Sequence, residues 1–141
     1  MKLYLDNCCF NRPFDDQTQL RVKLETDAKL FIQERILLQK YNFVWSYVLD
    51  YENSQNPFPM KRQSIANWKN LSLIRVEENR AVLRLAESLV AKGIKTMDAL
   101  HVACAIEAEC DYFITTDRKL LSAQIEGIRI VSPIRFVEEQ D

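Results

Sequence analysis

The stretch KTMDALHVACAIEAECDYFITTDRKLL, residues 95–121, decides the fold class because its hydrophobic pattern changes period midway. MDALHVACAIEAE, preceded by Thr96 as a candidate N-cap, reads as a helix. DYFITTD then concentrates aromatic and β-branched residues, the composition of a buried strand, and RKLLSAQ turns helical again. Helix, strand and helix in immediate succession are the unit from which alternating α/β sheets are built.

Working outward, four further segments read as strands: KLYLD (2–6), FVW (43–45), LSLIRV (71–76) and IRIVSP (128–133), the last stopped by Pro133. Between them, residues 16–40 place Leu20, Leu24, Ala28 and Phe31 three and four apart, which predicts one apolar helix face. Ser46 is a suitable N-cap for YVLDYENSQ. Pro57 and Pro59 end that helix, and MKRQSIANWKN forms a short further one. EENRAVLRLAESLVAKG carries Leu83, Ala86 and Val90 on one face, with Gly93 placed for a C-terminal cap. Five strands alternating with helices predict an α/β fold, a mainly parallel sheet between helical layers, and 141 residues predict one domain over 1–141.

Composition narrows the function classes. With 48% apolar and 28% charged residues the chain has the balance of a soluble globular protein. A formal charge of −1 gives no overall electrostatic footprint of a nucleic-acid binder. Residues 2–5 are too short and too polar for an apolar leader, and no stretch approaches a membrane span, so a cytoplasmic protein with reduced cysteines is expected. Cys8, Cys9, Cys104 and Cys110 contain no CxxC pair and share one His, so they are expected to pack as small apolar groups rather than hold zinc.

Chemistry is expected beyond the carboxyl ends of the strands, where ligands gather in open parallel sheets. Asp6 and Asp117 stand at that end of the first and fourth strands. Glu52 follows Leu49 and Val48 by three and four residues and so shares their inward face. Asp50, roughly 200° around the helix from Glu52, faces water. Asp98 lies in the first turn of its helix, where an acid also favours the helix dipole. Four carboxylates from separated segments make an oxygen-rich pocket suited to Mg²⁺ or Mn²⁺.

The chain resembles the PIN-domain nucleases, including the VapC-like toxins of bacterial toxin–antitoxin pairs. The matching pieces are LYLDNC, SYVLDYE, the 95–121 stretch and the closing IRIVSPIRF. The resemblance implies a three-layer α/β/α domain with a five-stranded parallel sheet and a metal-dependent ribonuclease site at Asp6, Glu52, Asp98 and Asp117. It also implies RNA as substrate, a partner antitoxin and a homodimer. Two departures stand out: Asn7, Cys8 and Cys9 replace a nearby Ser or Thr, and the insert NRPFDDQTQ precedes the long helix. DRKL offers no extra acid behind Asp117.

Secondary candidates are weighed against ordinary packing. His101, one turn after Asp98, is read as packed against the helix edge rather than as a base. Arg12, Thr116 and Arg118, with Lys61, Arg62 and Lys119, are candidate phosphate contacts. Trp45 reads as core, and Tyr47 with Tyr51 as a subunit contact. The alternative function is a non-catalytic interaction or RNA-binding module of the same fold. Aspartyl phosphoryl transfer fits less well, because Cys8 stands where a second Asp is needed and IRIVSPIRF lacks the strand-end Lys.

Overall fold

The computed structural model describes residues 1–140. The short runs of β-branched and aromatic residues become five strands: β1 (Lys2–Leu5), β2 (Asn42–Ser46), β3 (Ile74–Val76), β4 (Tyr112–Ile114) and β5 (Arg129–Val131). They form one sheet in the order β3-β2-β1-β4-β5, every pair parallel. β1 is central, pairing Leu3 with Phe43 on one side and with Tyr112 on the other. Leu3, Tyr4 and Leu5 are all buried, as a strand covered on both faces requires.

Among the described residues, eight α-helices surround the sheet: α1 (Asn7–Asn11), α2 (Leu20–Leu37), α3 (Tyr47–Ser54), α4 (Pro59–Ala66), α5 (Arg80–Ala91), α6 (Thr96–Glu107), α7 (Arg118–Ser122) and α8 (Pro133–Gln140). Tyr4 stacks on Phe113 and meets His101 of α6, so α6, with α5 packed on it, covers one sheet face. Phe43 and Trp45, on the opposite face, contact Trp68 and Phe10, and there α1, α2 and α8 pack. The expected α/β architecture with helical layers on both faces is the one observed.

Local chemistry accounts for most helix ends. Ser46 Oγ accepts from Leu49 N at 3.1 Å and caps α3 as expected. Gly93, just past α5, has φ +98°, the left-handed conformation of a helix C-terminus. Thr96 does not cap α6; Lys95 occupies that position without a side-chain bond, and Thr96 is the first helical residue.

Three segments correct the sequence reading. In α2 the buried face is Val22, Thr26, Lys29, Ile32 and Ile36, whereas Leu20 is 73% and Leu24 46% exposed. Two stripes of equal period run half a turn apart on this helix, and periodicity alone does not choose between them. The sheet takes the β-branched stripe because the polar residues on it find partners: Glu25 is paired by Arg12 at 3.0 Å and Arg21 at 3.6 Å. The segment after Asp6, to which the sequence reading assigned no element, is helical, since the Asp6 side chain accepts from Asn7 N and starts α1. Pro133 both stops β5 and opens α8, a helix absent from the sequence reading.

Candidate metal centre

β1 and β4 are neighbours, so their carboxyl ends bring Asp6 beside Thr115. Asp6 is buried, and both its oxygens are fixed: Oδ1 accepts from Asn7 N at 2.8 Å and Oδ2 from Thr115 Oγ1 at 2.8 Å. Cys8 Sγ also donates to Oδ2, at 3.6 Å. An anion held by three donors is positioned without rotamer freedom.

The α3 helix delivers a half-buried Glu52 and α6 a fully buried His101. Asp6, Glu52 and His101 each present a ligand atom within 4.8 Å of the others. His101 Nε2 bonds Glu52 and lies 3.8 Å from Asp6 Oδ1. Its other nitrogen, Nδ1, meets the Tyr4 hydroxyl at 2.6 Å, and that hydroxyl meets Ser46 Oγ at 2.6 Å. Burial holds the Tyr4 phenol well above its ordinary pKa, so it stays protonated. His101 thereby links Glu52 to the buried Tyr4–Ser46 pair and fixes where the Glu52 carboxyl sits.

Asp98 is half-buried in the first turn of α6. Its carboxyl is pushed up to about 6, first by burial, then by the negative charges of Asp6 and Asp117 and more weakly of Glu52, against a lowering by His101. Asp98 thus titrates in the shared field of the other three acids. Asp117 caps α7, Oδ1 accepting from Lys119 N at 2.8 Å and Leu120 N at 3.4 Å. The structure brings all four acids to the same sheet edge, with Asp6 and Glu52 in the compact group and Asp98 and Asp117 beside it.

This arrangement predicts a pH signature. An acid whose folded pKa is raised above the ordinary aspartate value destabilises the fold as it ionises, so stability falls as pH rises to about 6. In EDTA, wild type should lose melting temperature relative to Asp98→Asn between about pH 4 and about pH 6, and the gap should stay constant above. A gap independent of pH across that range would show that Asp98 does not feel the other acids.

Recesses open on both sides of the acids. One of about 360 Å³ is bordered by Asn7, Glu52 and Lys61, the other of about 150 Å³ by Gly93, Asp98 and Lys119. Arg118 is exposed at the start of α7. Arg12, by contrast, is engaged by Asp15 at 2.9 Å and Glu25 at 3.0 Å, so its charge is already paired. Thr116 is buried, its backbone N–H donating to Cys8 Sγ; the threonine that serves the site through its hydroxyl is Thr115.

A PIN-domain sequence model matches residues 3–126. The chain belongs to the PIN-domain family. No curated protein sequence matches it. Among solved structures, a chain of VapBC2 from Rickettsia felis, bound to a DNA fragment from its promoter, is similar at TM-score 0.60 and 16% identity, covering 94% of this chain and 98% of that one. A chain of DNA-bound VapBC from Salmonella typhimurium is similar at TM-score 0.59, again with 16% identity and coverage of 94% and 98%. Identity at that level shows a shared fold. As a PIN domain, the chain carries its acids at the edge where β1 and β4 end and α6 begins.

The donor set fits a hard divalent cation. Asp6 and Glu52 offer carboxylate oxygens within one ion's reach, two more acids stand alongside, and no cysteine pair competes. Cys9, Cys104 and Cys110 are buried and free, and burial pushes the Cys104 and Cys110 thiols up to about 12, which keeps them inert. Cys8 is the exception to simple packing, because it touches Asp6 and Thr115. His101 is the residue the sequence reading undervalued. The available signal was its place one turn after Asp98 beside the small and apolar Val102 and Ala105, where a buried imidazole needs partners on both nitrogens.

Proposed function

We propose that this PIN domain is a Mg²⁺- or Mn²⁺-dependent endoribonuclease that hydrolyses RNA phosphodiester bonds as the toxin of a toxin–antitoxin pair. The observation that carries the reading is geometric: Asp6 and Glu52 offer carboxylate oxygens within 4.8 Å of each other, and beside them the Asp98 carboxyl is pushed up by burial and then by the negative charges of Asp6 and Asp117. Asp6 and Glu52 would hold the ion, with Asp98 and Asp117 completing the acid ring. When bound, the ion supplies Lewis acidity toward a phosphodiester and activates water at neutral pH.

The chain's own groups prepare that chemistry. Thr115 and the Asn7 N–H keep both Asp6 oxygens in place. The Ser46–Tyr4–His101 chain holds the Glu52 carboxyl in place. Lys61 and Lys119, lining the two recesses, are the cations placed to take RNA phosphates on either side of the acids. Arg118 adds a third.

The similar chains come from VapBC assemblies on DNA, which supports a protein antitoxin as partner. Leu20 and Leu24 on the outer face of α2 are apolar surface on which a partner or a second copy can pack. No helix of the described residues is long and apolar enough to cross a membrane.

Incubating the purified chain and its Asp98→Asn variant with a mixed RNA pool and Mn²⁺ tests the proposal. Wild type should cut and the variant should lose most cleavage. Equal cleavage by both proteins would remove the assignment.

A further inference from the structure

Away from the acids, on the sheet face covered by α1 and α2, lies a buried lysine that the proposed nuclease chemistry does not use. Lys29 is 4% exposed. Its Nζ donates to Gln33 Oε1 at 2.6 Å and sits 5.1 Å from the ring centroid of Trp68 and 5.6 Å from that of Phe10. Among the described residues no carboxylate pairs with it. Glu25, one turn earlier, is taken by Arg12 and Arg21. An ammonium has three protons to donate, and one is engaged here.

Burial lowers the Lys29 pKa to about 8, so at neutral pH the group is mostly charged while enclosed. Aromatic faces compensate a cation only in part. A methionine would fill the same space without that cost, so packing does not account for the lysine. What accounts for it is the space beside it. Lys29 lines a cavity of about 180 Å³ whose other walls include Phe10, Phe14, Ser64, Ile65 and Trp68. Phe14 and Ser64 are exposed, so the cavity communicates with solvent. For scale, an apolar cavity of roughly 150 Å³ accepts benzene.

We propose that this cavity is a second ligand site, which binds a small aromatic carboxylate with its ring among Phe10, Phe14 and Trp68 and its carboxylate on Lys29 Nζ. The anion takes the two free ammonium protons, and the ring replaces water against apolar walls. The acid cluster repels such a ligand, so the two sites select opposite charges. The same chemistry occurs in a free acid and at a polypeptide C-terminus ending in an aromatic residue.

The test follows the indole N–H resonance of Trp68 during titration of the full chain. Phenylacetate stands for the free acid, a short peptide ending in phenylalanine for the chain terminus, and phenylacetamide for the same ring without charge. Saturable shifts with either acid support the site, and the tighter of the two names the source. Phenylacetamide should bind ~10-fold more weakly or worse, the effect of one charge-assisted hydrogen bond. Lys29→Met should lose the preference for acid over amide. Amide binding equal to acid on wild type overturns the proposal without any variant, as does the absence of a saturable shift with both acids. An unchanged acid preference in a folded Lys29→Met protein overturns it too.

Discussion

Replacing Asp6 with asparagine should lower Mn²⁺-supported RNA cleavage by ~10³-fold or more, the equivalent of roughly 4 kcal/mol of lost charge stabilisation. The size follows from where Asp6 sits. It is buried at the end of the central strand, each oxygen is already oriented, and it belongs to the compact group with Glu52 and His101. Asparagine keeps the volume and the oxygen that caps α1, so the fold should survive. It removes one of the negative charges around which the site is organised. Circular dichroism and a melting curve establish that the variant is folded, and cleavage of one defined RNA then reports the chemistry. A folded Asp6→Asn protein as active as wild type would mean that the acids do not hold a catalytic ion.

Mn²⁺ alone, with no RNA present, should raise the melting temperature of wild type by roughly 10 °C at a metal concentration a hundredfold above Kd. Without metal, the Asp98 carboxyl is pushed up to about 6, first by burial and then by the negative charges of Asp6 and Asp117. A divalent ion that binds only the folded chain both offsets those charges and shifts the folding equilibrium by mass action. The gain should vanish in EDTA, fail to appear with NaCl at equal ionic strength, and shrink in Glu52→Gln. This result separates the nuclease reading from a PIN-like interaction module that has no use for metal, for which the melting curve should not move.

The sheet was legible because each strand carries its own composition, and Pro133 or Ser46 marks its end. All five strand positions and the parallel arrangement agree with the structure. The placement of Asp6, Asp98 and Asp117 was legible for a related reason: a strand end and a helix first turn are local features, and parallel topology sends them to one edge. What local pattern does not contain is the choice between two equivalent stripes. On α2 the leucine stripe faces solvent because Val22, Ile32 and Ile36 pack inward and Glu25 finds its partner in Arg12, outside the helix. The same limit hid His101. Its partners, Tyr4 and Glu52, come from β1 and α3, 97 and 49 residues distant. Asn7, Cys8 and Cys9 have local roles. Asn7 N–H and Cys8 Sγ donate to Asp6, and Cys9 Sγ, buried, donates to the Ile114 carbonyl at 3.3 Å.

The central claim, that this acid cluster is a metal-dependent ribonuclease site, is tested most directly on one end-labelled RNA. The purified wild-type chain is assayed with Mn²⁺, with excess EDTA, and with Mn²⁺ restored after EDTA. Discrete cleavage with Mn²⁺, its loss in EDTA and its return on restoring the ion are the predicted results. Cleavage that continues undiminished in EDTA, or none in any arm with several different RNAs, would contradict the account.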